Sequence, residues 1–262
     1  MRDPDLNPVI LPFCGAAPLP SELWTRWTLD PVLLACLALL PALYFAALRT
    51  APHGRSDGRE TLFFWLGWGT LVVAFVSPLC ALSAALFSAR VAHHVLLVTV
   101  AAPLFALANP WRRRSVLPLP GLWLFVHAAA LWFWHAPIPY QAALASDALY
   151  WLMQGSLFLS ALAFWASALA NRSRAMAAPL LLLAAMMQMG LLGALITFAP
   201  RPLYAAHFLS TEPFGLSALA DQQLAGLIMW APGALPYLLA ALLIAASALR
   251  QPAAIQGASP SA

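Results

Sequence analysis

The sequence predicts an all-α membrane protein, a single bundle of about seven spanning helices. Three observations carry that reading. Of 262 residues, 63% are hydrophobic and 8% charged, with a mean hydropathy of +0.80; a soluble domain carries about 25% charged residues, so the chain has too little polar surface to meet water. Seven stretches of about 20 apolar residues, the length that crosses a bilayer's hydrocarbon core, are separated by Arg, Pro or polar breaks. The basic residues are thirteen Arg and no Lys, unevenly shared between alternate loops. The same composition excludes disorder, collagen and coiled-coil repeats. No basic face of the kind nucleic acid requires is visible, so nucleic acid is not an expected partner.

The apolar stretches run over 30–49, 60–77, 89–108, 119–135, 147–170, 175–198 and 222–248. Asn109-Pro110 closes the third and Pro120-Gly121 opens the fourth, which is ordinary helix punctuation. Short cytoplasmic loops collect Arg. Arg49, Arg55, Arg59, Arg112, Arg113, Arg114, Arg172, Arg174 and Arg250 fall on one side, against Arg2, Arg26, Arg90 and Arg201 on the other. The N-terminus is therefore expected outside and the C-terminus in the cytoplasm. Trp24, Trp27, Trp132, Trp134 and Tyr140 then lie near the outer interface, where amphipathic rings are favoured. The division that follows is a proline-rich outer segment 1–29, a seven-helix domain 30–250 and a short cytoplasmic tail 251–262. No basic region leads into an apolar run at the N-terminus, so that segment is expected to stay attached. Cys14, Cys36 and Cys80 are isolated and odd in number, and define neither a disulfide framework nor a CxxC metal motif. Cys36 and Cys80 read as small apolar residues.

Polar and ionisable groups inside a span cost free energy and are functional candidates by default. His93 and His94 lie at the start of the third stretch, His127 in the middle of the fourth and His135 at its outer end. Gln154 lies two turns into the fifth, Met186 to Met189 in the sixth, and Asp221 opens the seventh. These groups concentrate in the outer half. One reading is a metal site reached from outside, with His94, His127, His93, His135, Met189 and Met186 as candidate ligands and Gln154 or Asp221 orienting an imidazole. Imidazole suits copper, and thioether sulfur selects Cu(I). The other reading is that His127 and Gln154 hydrogen-bond between helices while the methionines fill core gaps. His93 and His94 are adjacent, about 100° apart on a helix, so one of them is expected to face the bundle. His135-Ala136-Pro137-Ile138-Pro139-Tyr140 reads as a rigid outer turn, because each proline fixes φ and biases its predecessor toward extended geometry. His207 reads as a solvated loop residue, and Arg201 as a partner for Glu212 or Asp221. No nucleotide-binding glycine motif, GxSxG or HExxH is present, nor any acid/base pair, and the chain is not expected to be an enzyme.

Four segments carry a family resemblance. His93-His94-Val95-Leu96-Leu97 through Ala102-Pro103-Leu104, the turn His135-x-Pro-x-x-Tyr140, the segment Gly193 to Tyr204, and Leu219 to Trp230 with Pro232-Gly233 resemble, in order, the CtaG family of cytochrome c oxidase assembly factors. The resemblance covers roughly residues 30 to 250. It implies a seven-helix protein of the bacterial plasma membrane that matures a haem-copper oxidase and assists copper insertion. Its implied partners are membrane lipid, oxidase subunits and other copper chaperones. Of the family's polar positions, His94, His135 and Asp221 carry over. Arg90 stands where the family has the first His of a His-x-x-x-His pattern. Tyr150, Met153 and Gln154 stand where it tends to carry His-x-x-Glu-His. The expected function is thus oxidase assembly with copper as cargo. The rivals are a metal-free scaffold for oxidase subunits, a b-type haem protein ligated by His94 and His127, and a copper transporter.

Overall fold

The computed structural model describes residues 13–50, 58–108, 119–170 and 177–250. Within them the regular structure is all helical, with no strand. The helices are α1 (Pro31–Thr50), α2 (Gly58–Phe75), α3 (Pro78–Ala85), α4 (Phe87–Val95), α5 (Ala102–Ala108), α6 (Pro120–His135), α7 (Pro137–Leu144), α8 (Asp147–Ala170), α9 (Ala177–Thr197), α10 (Ala218–Trp230) and α11 (Leu235–Leu249). A π-helical segment, Leu96–Ala101, joins α4 to α5. Among the described residues five helical segments are long and apolar enough to cross a membrane, or seven if each of two bent pairs counts as one span. The predicted Arg55, Arg112, Arg113, Arg114, Arg172 and Arg174 and the tail 251–262 lie outside the described residues.

The bends fall where the sequence interrupts its helices. Ser77 accepts from the Leu79 N–H and Pro78 opens α3, so the second span turns by 47° between α2 and α3. Pro137 likewise opens α7, which leaves α6 at 74°. Proline suits a first helical turn because its missing N–H has no partner there. The outer turn expected over residues 135–140 is therefore a helix start.

α8 forms the centre of the bundle. Tyr150, Met153, Leu157, Ala161, Phe164, Trp165 and Ala168 recur at three- and four-residue spacing and are all buried, so one continuous face meets α5 and α6. The Trp165 Nε1–H reaches out of that face to the Val98 carbonyl at 2.9 Å, within the π-helical segment. α9 and α10 make the most extensive pairing. It depends on Gly193 and Gly226, since a Cβ built on Gly193 would lie 2.8 Å from the Gly226 carbonyl oxygen. Small residues permit such backbone approach in membrane bundles.

The cysteine reading is corrected here. Cys14 and Cys80 form a disulfide across a separation of 66 residues, tying the N-terminal segment to α3, and the Thr28 N–H donates to the Val76 carbonyl beside it. Cys80 is thus a covalent anchor, while Cys36 is a free thiol on an exposed face. Tyr140 is corrected as well: it is buried in the bundle and is no interfacial ring.

Candidate functional site

The polar residues gather at the end of the bundle where α6 stops and α4 and α10 begin. Asp221, on the first turn of α10, accepts from the backbone N–H groups of Phe87 (2.7 Å) and Ser88 (3.2 Å) and from the Ser88 hydroxyl. A carboxyl group thereby caps α4 from another helix, engaging orphan donors that a buried helix start must satisfy. Asp221 was expected to orient an imidazole or to meet Arg201. Instead it anchors the helix that carries Arg90, His93 and His94. Gln222 locks the adjoining loop, accepting from the Leu203 N–H at 2.6 Å and donating to the Ile196 carbonyl at 3.2 Å.

The loop before α10 closes over this end. The Tyr204 hydroxyl donates to the His135 carbonyl at 2.7 Å. The His207 Nδ1–H donates to the Ala85 carbonyl at 3.1 Å, while Nε2 accepts from the Tyr140 hydroxyl at 2.7 Å. Phe87 stacks on Tyr204 with ring centroids 3.6 Å apart. His207 is therefore buried and doubly engaged, contrary to a solvated loop role, and burial lowers its pKa to about 4. Burial also raises the pKa of Tyr204.

Inside this cover lies a cluster from α4, α6 and α8. Both His93 and His94 are buried, so the expectation that one of the pair faces the bundle is corrected. Helix α4 packs against α3 and α10, and its two histidines meet Phe75 of α2, His135 of α6 and Gln154 of α8. His94 Nδ1 faces His135 Nε2 at 3.5 Å, and His135 Nδ1–H donates to the Leu131 carbonyl at 2.7 Å. Gln154 Nε2 donates to His93 Nδ1 at 3.2 Å and to the Tyr150 hydroxyl at 3.1 Å. Gln154 thus bonds the His93 imidazole across helices.

Arg90 occupies the middle of the cluster. An outer-side charge that sets topology would meet water, yet the Arg90 side chain is 0% exposed. Its guanidinium lies 5.2 Å above the Tyr150 ring centroid and within electrostatic reach of His93, His94, Tyr140 and His207. Sequence reasoning passed over Arg90 as a site residue, although a charge one turn before His94 on an apolar helix is itself a signal.

The remaining predicted ligands are placed elsewhere. His127 Nδ1–H donates to Ser160 at 3.2 Å, and Nε2 accepts from the Tyr237 hydroxyl at 3.4 Å. Because Ser160 gives its own proton to the Leu157 carbonyl, both His127 nitrogens are engaged in interhelical bonds. Met189 is buried with its methyl group against Gly233, and Met186 lines a shallow groove beside Trp230. Among the described residues no three His, Cys, Asp or Glu side chains are grouped so as to hold a metal ion. At the cluster two imidazoles, His94 and His135, face each other, and the fixed guanidinium charge beside them opposes a cation.

A polytopic helical membrane protein with a buried basic cluster under a tyrosine- and histidine-lined cap is the class this geometry defines. The chain matches the family described as cytochrome c oxidase caa3 assembly factor, Caa3_CtaG, over residues 42–251. It belongs to that family, as its sequence segments suggested. No curated protein and no solved structure matches it.

Proposed function

We propose that this chain serves oxidase assembly from the outer half of the bacterial plasma membrane as a non-catalytic scaffold, without a copper ion held by the ligands first expected. One observation carries this reading: the imidazoles that do come together share their space with the Arg90 guanidinium, while His127 is fully engaged in hydrogen bonds elsewhere. The engagement of both His127 nitrogens speaks equally against a haem held by His94 and His127. The disulfide supports placing the cluster's end of the bundle outside, since such bonds persist in oxidising compartments, and the arginine distribution supports the same orientation.

A second reading, copper handover, is favoured by the His94–His135 pair. Two ring nitrogens face each other at 3.5 Å, and one ring is held by a backbone carbonyl, as ligating imidazoles are. Copper content per chain, with a visible spectrum, separates the two. The measurement uses detergent-purified protein from copper-supplemented cells, wild type beside His94→Ala and His135→Ala. The scaffold reading expects copper at background in all three and no Soret band. About one copper per wild-type chain, lost in either variant, would replace it with the handover reading.

A further inference from the structure

We propose that the Arg90 cluster is a binding site for a small planar oxyanion, a carboxylate or hydrogencarbonate. Nε, Nη1 and Nη2 of Arg90 are all buried without an acceptor at full hydrogen-bond geometry among the described residues; the Tyr140 hydroxyl lies beside the guanidinium, but one neutral oxygen already bonded to His207 neither balances the charge nor fills a fork of five donors. A guanidinium taken out of water demands a counter-charge and acceptors for its fork of donors. The neighbouring acid does not supply the acceptors, because both Asp221 oxygens are directed to Phe87 and Ser88. The guanidinium carbon lies over the Tyr150 ring, a contact that takes up none of the N–H fork, the group that binds a planar oxyanion through two parallel hydrogen bonds.

The rest of the cluster is incomplete in the complementary sense. His94 Nε2 and Gln154 Oε1 are buried without a hydrogen bond of full geometry, the two side chains lying next to one another. The His135 Nδ1–H bond to Leu131 leaves His135 Nε2 as the acceptor facing His94 Nδ1. His94 Nε2 is then a lone pair. The site thus offers donors from Arg90 and acceptors from His94 and Gln154. Hydrogencarbonate, which carries an O–H beside its charged oxygens, matches both; a carboxylate matches the donors. Since Arg90, His94 and Gln154 are each no more than 2% exposed, the ligand is small. The π-helical segment that follows His94 by one residue adds to this, since such turns recur at functional sites.

The inference goes beyond the scaffold reading and is tested without oxidase or copper. Equilibrium dialysis of the full-length protein in detergent uses carbon-14-labelled formate and hydrogencarbonate in turn, at constant ionic strength set by a bulky sulfonate. The expected result is saturable binding of one oxyanion per chain. Binding is weakened at least tenfold in Arg90→Lys, which keeps the charge and loses the fork, and abolished in Arg90→Met. Saturation by formate alone identifies a carboxylate site, and preference for hydrogencarbonate identifies a role for the acceptors, a preference that Gln154→Leu then removes. No saturable binding of either anion to the wild-type chain overturns the proposal, whatever the folding of the variants. So does equal binding by folded Arg90→Met, or displacement by chloride at equal concentration, which would mark an unselective cation.

Discussion

His207 lies in a loop between two spans, yet burial has made it a structural residue whose neutral form the fold requires. Its Nδ1–H reaches Ala85 and its Nε2 accepts from Tyr140, so a second ring proton would break the Tyr140 bond beside the Arg90 charge. With a folded pKa near 4, against 6.5 ordinarily, the folded chain binds fewer protons than the unfolded one between those values. Its contribution is present above pH 6.5 and lost as pH falls toward 4. At about 1.4 kcal/mol per pH unit, the unfolding free energy of wild type relative to His207→Gln should drop by about 2 kcal/mol between pH 7 and pH 5. Denaturant unfolding in detergent at the two pH values measures it. Asp221→Ala should cost about 2–3 kcal/mol at neutral pH by the same assay, because it leaves the buried donors of Phe87 and Ser88 unpaired. A loss below about 0.5 kcal/mol would contradict the cap assigned to it.

The helices separate into those whose partners are dictated by side-chain size and those dictated by polar bonds. α9 and α10 meet through Gly193 and Gly226, where any side chain would strike backbone. α6 is tied instead by Trp132 Nε1 to Gln188 of α9 at 3.0 Å and Trp134 Nε1 to Ser156 of α8 at 2.8 Å. Gly226→Val should therefore force the α9–α10 pair apart at a cost above the roughly 1–3 kcal/mol of ordinary overpacking. That variant is expected to yield little monodisperse protein on size exclusion in detergent. Gly69→Ala, on α2 with open space around its Cα, should behave as wild type. The periodicity of α8 was readable in advance, since apolar residues recur at helical spacing. The partition of its neighbour into α4, a π-helical segment and α5 was not: the Val98 carbonyl inside that segment is met by Trp165, 67 residues away, a contact that no local spacing encodes.

At the scale of the whole molecule, one covalent bond couples the N-terminal segment to the membrane bundle. Closing a loop of 66 residues restricts the unfolded chain enough to stabilise the fold by about 4 kcal/mol in the chain-entropy account. Cys14→Ser with Cys80→Ser should lose stability of that order. In intact cells, a membrane-impermeant maleimide should label these two cysteines only after reduction and denaturation of the outer face. Labelling that requires breaking the inner side would reverse the proposed orientation.

Composition and hydrophobic runs determined by themselves that this is an all-helical membrane protein, and four ordered segments were enough to identify its family. Both are averages over many residues, and averages survive errors in any single assignment. Which polar residues meet was decided only by the tertiary structure. His94, His127, Met186 and Met189 are each possible metal donors by residue type, but a helix gives each side chain one direction and one depth. Packing sent His127 to Ser160 and Tyr237 while bringing His94 to His135 and Gln154 to His93. Cys80 found Cys14 for the same reason: long-range pairing depends on where folded helices end, and no local spacing encodes it.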